Sequence, residues 1–155
     1  MENICKVKNP KVGLVNIGAE EEKGNNLAKE TYQLLSNLEG INFIGNIEAR
    51  EIPEGKADVV VCDAFVGNVI LKMYEGVGGV LLKKVKGTLM TSLKTKIGAL
   101  LIKKELKETL KTFQMDQYGG APLLGLKGLV VKTHGNSKAI EVKNSIIQCI
   151  SFKEM

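Results

Sequence analysis

"ADVVVCDAFVGNVILKMYEG", residues 57–76, passes from one apolar pattern to another along its length. Its first part, "DVVVC", is a β-branched run typical of strands that are buried on both faces. After Asp63 the apolar residues recur at helical spacing, which predicts a helix that begins at Asn68. Gly67 and Asn68 would then stand at a helix start, where unpaired N–H groups and the helix dipole favour an anion. The stretch therefore predicts a strand–helix unit with an anion site at the junction.

The rest of the chain repeats this alternation of strand and helix. The other predicted strands are "KVGLVNIG" (11–18), "INFIG" (41–45) and "LKGLVVK" (126–132). The other predicted helices are "GNNLAKETYQLLSNLEG" (24–40, with Gly40 just past its end), "TSLKTKIGALLIKKELKETLKTF" (91–113) and "SKAIEVKNSIIQCI" (137–150). Such alternation predicts one α/β domain over residues 1–155, with a mostly parallel sheet covered by helices on both faces.

Ligands of such sheets bind outside the carboxyl ends of the strands, which selects three turns of this chain. They are residues 16–18, 63–68 and 133–137. The first turn leads into three glutamates (Glu20, Glu21 and Glu22) and has neither G-x-G-x-x-G nor a P-loop. It is therefore predicted to be a solvated turn rather than a dinucleotide site.

The second turn offers two polar side chains with two possible roles. Asp63 could orient a donor or hold a proton, and Asn68 could donate or accept a hydrogen bond through its amide. Residues of these types are equally common as turn formers and helix caps. Both interpretations stay open at this point.

The third turn, in "VVKTHGNSKAI", contains the one histidine of the chain, His134. A lone histidine is usually structural, but this one follows a strand and precedes Gly135 and a helix start. Lys132, Thr133 and Asn136 surround it in sequence, so a contact to an anionic ligand is predicted. Upstream, Gly119-Gly120 before Pro122 predicts a tight turn that connects to the next strand, and whose backbone could also line the pocket.

Charge is concentrated in one segment of a chain whose net charge is +5. Seven lysines and no acid lie between Gly76 and Lys104. Residues 76–113 are predicted to form a projecting basic amphipathic hairpin of helices, which suits an anionic membrane surface or an acidic carrier protein. An ordinary solvated helical face is the alternative. The residues predicted to form this surface are Lys94, Lys96, Leu100, Lys103 and Lys104.

Composition argues against several classes of function. The absence of Trp and the few aromatic residues disfavour a nucleic-acid partner. A single His disfavours a His-based zinc site, and three dispersed cysteines suit a reducing cytoplasm. No signal core is visible, and no apolar run reaches the roughly 18 residues expected of a membrane span. A cytoplasmic chain without a metal site is expected.

Four stretches together resemble one family. "NPKVGLVNIGAEEEKGN", "INFIGNIEAREIPEGKADVVVCDAFVGNVILK", "YGGAPLLGLKGLVVKTHGNS" and "KAIEVKNSI" are similar, in family order, to the bacterial phosphate acyltransferase of phospholipid synthesis, the PlsX type. The resemblance implies that inorganic phosphate displaces acyl carrier protein from a long-chain acyl thioester, giving an acyl phosphate. It also implies a homodimer without cofactor, peripheral association with the membrane, and the fold of phosphate acetyltransferases and isopropylmalate dehydrogenases.

Site roles follow from that reaction. A dianionic nucleophile and a developing oxyanion require preorganised N–H donors and cations. The residues expected at the reacting atoms are His134, Asn68 and Lys72, and those expected to bind phosphate or substrate are Asp63, Gly67, Asn68, Lys132, Thr133, Gly135 and Asn136. His134 could contact phosphate or assist proton transfer to the leaving thiol, and both roles stay open.

The resemblance covers only part of the family pattern. Family members are about twice as long and open with a glycine-rich "D-x-M-G-G-D-x-A-P" segment that this sequence lacks. The chain is therefore expected to be a C-terminal half that catalyses poorly alone. The alternatives are a phosphate acetyl- or butyryltransferase that uses coenzyme A, and a non-catalytic module that binds a lipid surface or acyl carrier protein.

Overall fold

A computed structural model of the chain describes residues 7–111, 119–135 and 137–153. The chain divides into two compact units, Met1–Leu81 and Leu82–Met155. The single domain expected from the sequence stays a prediction, and each unit is described by itself.

A parallel sheet forms the centre of the first unit. Its strands are β1 (Lys11–Asn16), β2 (Asn42–Glu48) and β3 (Val59–Val61), in the order β2-β1-β3. Helix α1 (Asn26–Ser36) connects β1 to β2, and a 3-10 turn (Ala49–Glu51) follows β2. The predicted α/β class with parallel strands is confirmed for this unit. The relation to the isopropylmalate dehydrogenase and phosphate acetyltransferase fold stays a prediction.

The core of the first unit lies where β1 meets β2. Val12, Leu14 and Ile47 are its buried apolar residues, and Ile47 is fully buried. The pairing of the two strands shifts between Val12 and Leu14, so that Gly13 lies opposite an irregularity in β2. A side chain on Gly13 would place its Cβ 2.9 Å from Ile47, so a glycine is needed at this point of close approach.

Helix α1 is defined at both ends by asparagines. The side chain of Asn25 accepts a hydrogen bond from the Ala28 N–H at 2.9 Å, as an N-cap does. The helix ends at Ser36, and Asn37 caps it with its N–H bound to the Gln33 and Leu35 carbonyls. The expectation that Gly40 directly follows the helix end is therefore wrong. Gly40, with φ of 82°, lies in the turn before β2.

Helix α2 (Ala64–Leu89) is longer than the sequence suggested. It begins at Ala64 rather than at Asn68, and it continues through Gly76, where the hairpin was expected to start. By length and composition alone it could cross a membrane, with a mean hydropathy of 1.3 over an 18-residue window of which none is buried. Lys72 and Glu75 interrupt the apolar run in the sequence, which is why no membrane span was expected there. Helices of soluble proteins meet the same criteria, so this property alone assigns no membrane role.

The second unit contains the remaining elements of the described chain. They are α3 (Leu93–Leu101), α4 (Lys103–Lys111), β4 (Ala121–Pro122), β5 (Val131–Lys132) and α5 (Ala139–Lys153). The helix predicted over 91–113 is thus divided at Ile102, and residues 112 and 113 lie outside the described residues. The strand predicted over 126–132 is reduced to β5, which pairs antiparallel with β4.

Gly119 and Gly120 pack against α5, whereas the sequence predicted that they form a tight turn. Gly119 is buried, and a Cβ there would lie 2.1 Å from the backbone nitrogen of Ser145 in α5. The Gly120 N–H donates to Oε1 of Gln148 in the same helix at 3.2 Å. Because neither residue has a side chain, the chain entering β4 packs directly against the backbone of α5.

Candidate anion-binding rim

The carboxyl ends of β1, β2 and β3 share one edge of the sheet, because the strands are parallel. Two asparagines hold the turn that leaves this edge. Nδ2 of Asn16 donates to the Lys23 carbonyl at 2.9 Å, and Nδ2 of Asn46 donates to the Glu20 carbonyl at 2.7 Å. Asn46 is 4% exposed and was not among the residues predicted from the sequence. A polar residue within an apolar strand was the signal that could have found it.

The glutamates of that turn face solvent. Glu20, Glu21 and Glu22 are all exposed, and the side chain of Glu21 accepts a hydrogen bond from Gln33 of α1. This placement supports the solvated turn that the sequence favoured over a dinucleotide site.

A second group of charges lies at the end of β2, and sequence reasoning missed it as well. Arg50 pairs with Glu48 at 2.8 Å, and Lys56 pairs with Glu51 at 2.5 Å. The hydrogen bond from Lys56, and then that from the Glu48 N–H, lower the pKa of Glu51 below its ordinary value. The acids at this strand end are therefore paired with local cations.

Asp63 caps α2. Its Oδ1 accepts hydrogen bonds from the N–H groups of Phe65 and Val66, each at 2.8 Å. Its carbonyl accepts from the Gly67 N–H at 3.0 Å, so the helix is already formed at that residue. The expectation that unpaired N–H groups lie at Gly67 and Asn68 is therefore wrong. The short carboxylate side chain of Asp is a strong N-cap, and it accounts for a helix that begins directly after Asp63.

This cap changes the electrostatics of the predicted site. The carboxylate of Asp63 already supplies negative charge to the positive end of the α2 dipole. A phosphate bound here would share the helix start with that carboxylate. The cap interpretation of Asp63 is confirmed, and its contact with a ligand stays a prediction.

Gly67 is a glycine because Cys62 lies against it. A Cβ on Gly67 would lie 2.7 Å from the Cys62 Sγ. Partial burial, and then the charge of Asp63, raise the pKa of the Cys62 thiol. The close approach places a thiol next to the first turn of α2.

We expect Gly67→Ala to lower the free energy of unfolding by about 1–2 kcal/mol, because the new methyl group displaces the Cys62 sulfur. Urea denaturation of the purified chain measures this loss. Cys62→Gly combined with Gly67→Ala removes the clash, and the loss should shrink because a Gly-to-Ala change in a helix is favourable. An equal loss in both backgrounds would contradict the role of the Cys62 contact.

Asn68 and Lys72 lie one helical turn apart on α2, and both are exposed. Nζ of Lys72 donates to Oε2 of Glu75 at 2.7 Å. In this structure the ammonium is therefore engaged by a carboxylate of the same helix. Exposed ion pairs are worth less than about 1 kcal/mol, so a bound dianion could compete for this lysine. The contact of Lys72 with phosphate stays a prediction.

Residues 132–135 follow β5 in the second unit. Lys132, His134 and Gly135 are exposed and Thr133 is half-buried. The His134 carbonyl accepts from the Ser137 N–H at 3.0 Å, which closes a turn before α5. Asn136 lies outside the described residues. The predicted convergence of Gly67, Asn68 and His134 on one rim stays a prediction.

The start of α5 is also occupied by a carboxylate. Glu141 accepts a hydrogen bond from the Lys138 N–H immediately before the helix. Both helix starts that the sequence assigned to an anion, those of α2 and α5, therefore carry an acidic cap. Within the residues that the structure describes, no cluster of three or more His, Cys, Asp or Glu side chains could hold a metal ion.

The basic surface predicted on α3 and α4 is solvent-accessible. Its members are all exposed: Lys94, Lys96, Leu100, Lys103 and Lys104. Leu100 is 71% exposed and Leu101 is 76% exposed, so large apolar side chains lie beside the lysines. This is the pattern expected of a surface that meets lipid or another protein. The projecting hairpin itself stays a prediction.

Comparison with known proteins tests the family. A family model described as "Fatty acid synthesis protein" matches residues 1–155. The chain is 51% identical over 153 residues to the phosphate acyltransferase of Clostridium novyi. The matched region covers 99% of this chain and 46% of that protein. It is 50% identical over 153 residues to the phosphate acyltransferase of Clostridium acetobutylicum, again 99% of this chain and 46% of that protein.

The phosphate acyltransferase of Acetivibrio thermocellus is 51% identical over 154 residues, which are 99% of this chain and 45% of that protein. The chain thus spans about half the length of the curated relatives it matches. The resemblance to the phosphate acyltransferases seen in the sequence is confirmed. This chain belongs to the family described as fatty acid synthesis protein.

Proposed function

We propose that this chain provides the C-terminal half of a phosphate acyltransferase. The enzyme converts long-chain acyl-[acyl carrier protein] and inorganic phosphate to acyl phosphate for phospholipid synthesis. The observation that carries the proposal is the identity of 50–51% along 99% of the chain with relatives named phosphate acyltransferase. The proposed enzyme is cytoplasmic, binds neither metal nor organic cofactor, and forms a homodimer.

The proposed reaction has simple requirements. A phosphate oxygen attacks the thioester carbonyl, a C–O bond forms and the C–S bond breaks, and the departing thiolate gains a proton. Asn68, Lys72 and His134 are proposed to act at the reacting atoms, where N–H donors and a cation stabilise the oxyanion. The residues proposed to bind phosphate or substrate are Asp63, Gly67, Asn68, Lys132, Thr133, Gly135 and Asn136.

The acidic caps at both helix starts refine this proposal. With Asp63 on α2 and Glu141 on α5, the backbone N–H groups at these positions are partly engaged. Cationic side chains therefore have to supply more of the attraction for phosphate than the sequence suggested. Lys132 is exposed at the third turn, directly before Thr133 and His134, and suits that role.

We expect the purified chain to release acyl carrier protein very slowly in the presence of phosphate. Co-expression with the N-terminal half of the Clostridium novyi relative should raise the rate strongly, because the relatives place about half of their length outside the matched region. In that complemented enzyme, His134→Ala should lower kcat/KM by about 10²-fold, the loss typical of removing one transition-state donor.

The outcome of this assay decides between the candidate functions. Turnover with acyl carrier protein thioesters and little with coenzyme A thioesters supports the proposal, and the reverse preference favours a phosphate acetyl- or butyryltransferase. No turnover with either donor in a folded complex would favour the non-catalytic binding module. Full activity of the isolated chain would contradict the proposal that it is an incomplete enzyme.

Association with the membrane or with acyl carrier protein is proposed for the basic surface. Lys94, Lys96, Lys103 and Lys104 lie beside exposed Leu100, and each lysine near an anionic bilayer contributes roughly 1 kcal/mol. An acidic carrier protein would be attracted by the same charge. Association at the bilayer would release an acyl phosphate where phospholipid synthesis uses it.

Co-sedimentation with vesicles of anionic lipid should show binding that weakens as salt rises, since surface charge is screened over about 10 Å at 0.1 M salt. Replacing Lys94, Lys96, Lys103 and Lys104 together by Gln should weaken binding further. Binding that is unchanged in this variant, or missing at low salt in the parent chain, would leave an ordinary solvated surface.

A further inference from the structure

An apolar groove lies between the end of α2 and the helices α3 and α4. Its volume is about 530 Å³, within the range of small-molecule sites, roughly 300–1,000 Å³. The apolar lining residues are Leu89, Met90, Ala99, Leu100, Leu106 and Leu110. All of them belong to one compact unit, so one segment of the chain forms the whole groove.

The charged lining of the groove has a single sign. Lys96, Lys103 and Lys107 contribute to it, and no acid of the described chain does. Glu105 and Glu108 are on α4 as well, but neither lines the groove. An apolar floor with three ammonium groups is complementary to a ligand that has an apolar chain and an anionic head.

The groove walls are held in place by local hydrogen bonds. Oγ of Ser92 accepts from the Thr95 N–H at 3.2 Å, and Oγ1 of Thr95 accepts from the Ser92 N–H at 3.1 Å. This capping box fixes the start of α3 directly after the turn that ends α2. The two walls are therefore joined by a defined turn rather than by a loose loop.

We propose that this groove binds a single-chain anionic amphiphile, with the chain along the leucines and the head among the three lysines. A long-chain acyl phosphate has this chemistry, and identification of the natural ligand as the reaction product rests on the proposed function. The groove would then hold the product after it leaves the reacting atoms. The anionic head would stay in water and contact the three lysines, while the apolar chain would leave water and contact the leucines.

The experiment uses the whole chain and dodecyl phosphate as a monomeric probe, without vesicles, followed by titration calorimetry. We expect saturable binding, and no binding of inorganic phosphate at the same concentration. Replacing Lys96, Lys103 and Lys107 by Gln should weaken binding at least about tenfold, because charge-assisted contacts are lost. Ala99→Trp should abolish it by filling the groove, with circular dichroism and the melting temperature as checks of folding.

A matched control separates the groove from general surface charge. Replacing Lys83, Lys84 and Lys86 by Gln removes the same charge outside the groove, and should leave affinity within about twofold. Equal losses in both triple variants, or full binding by folded Ala99→Trp, would overturn the proposal. Absence of binding together with self-association that Ala99→Trp abolishes would instead assign the groove to a second copy of the chain.

The assay does not depend on catalysis. Binding of dodecyl phosphate by a chain that never supports turnover would preserve the groove and overturn the transferase function. Turnover of the complemented enzyme without binding of the probe would support the transferase function and overturn the proposal for the groove.

Discussion

Gly119→Ala should lower the free energy of unfolding by about 3 kcal/mol, near the upper end of the usual losses from overpacking. The new Cβ would lie 2.1 Å from the backbone nitrogen of Ser145 and 2.7 Å from the Glu141 carbonyl oxygen. Both atoms belong to the backbone of α5, so no side-chain rotation relieves the clash. Thermal unfolding should show a decrease of roughly 6–12 °C in melting temperature for a chain of this size.

Gly128→Ala is the matched control for this effect. Nothing lies within 4 Å of a Cβ built at Gly128, and its φ is not in the positive range. The same change of residue there should alter the free energy of unfolding by less than about 0.5–1 kcal/mol. If Gly119→Ala were as mild as Gly128→Ala, the close packing of the Gly119 segment on α5 would be wrong.

Ile47→Ala should lower the free energy of unfolding by about 3–4 kcal/mol, because it empties the centre of a small core. Ile47 has an exposure of 0%, whereas most large apolar residues of the described chain are partly accessible. Few other side chains can therefore compensate for its loss. Urea denaturation followed by circular dichroism measures the change.

Gly13→Ala tests the same contact from the other strand. Cδ1 and Cγ2 of Ile47 would each lie 2.9 Å from the new Cβ, so a loss of about 1–3 kcal/mol is expected in the parent. In the Ile47→Ala background the methyl group enters the vacated space, and the second loss should be close to zero. Strict additivity of the two changes would show that Gly13 and Ile47 do not share a packing site.

The sequence determined the local elements of this protein. The apolar periods of β1, α1 and β3 are each contained in a short stretch, and the structure has these elements within the expected segments. Parallel pairing of β1 and β2 followed from the helix α1 between them. The family was readable because four stretches with specific residues occur in a fixed order.

Only the tertiary structure decided the details of the candidate site. Asp63 is a local exception, because its Oδ1 accepts from the N–H groups of Phe65 and Val66, two and three residues along the chain. Asn46 holds the Glu20 carbonyl across 26 positions of sequence. No local pattern encodes such a contact, because it depends on the register between β1 and β2.

The glycines show the same division. The sequence identified Gly67 and Gly119 as unusual, but a glycine is compatible with a turn, a ligand or a close backbone approach. The structure selects close approach for both, to the Cys62 sulfur and to the backbone of α5. Local propensity thus determined where strands and helices form, whereas packing against neighbouring residues and elements determined why particular small residues stand at their junctions.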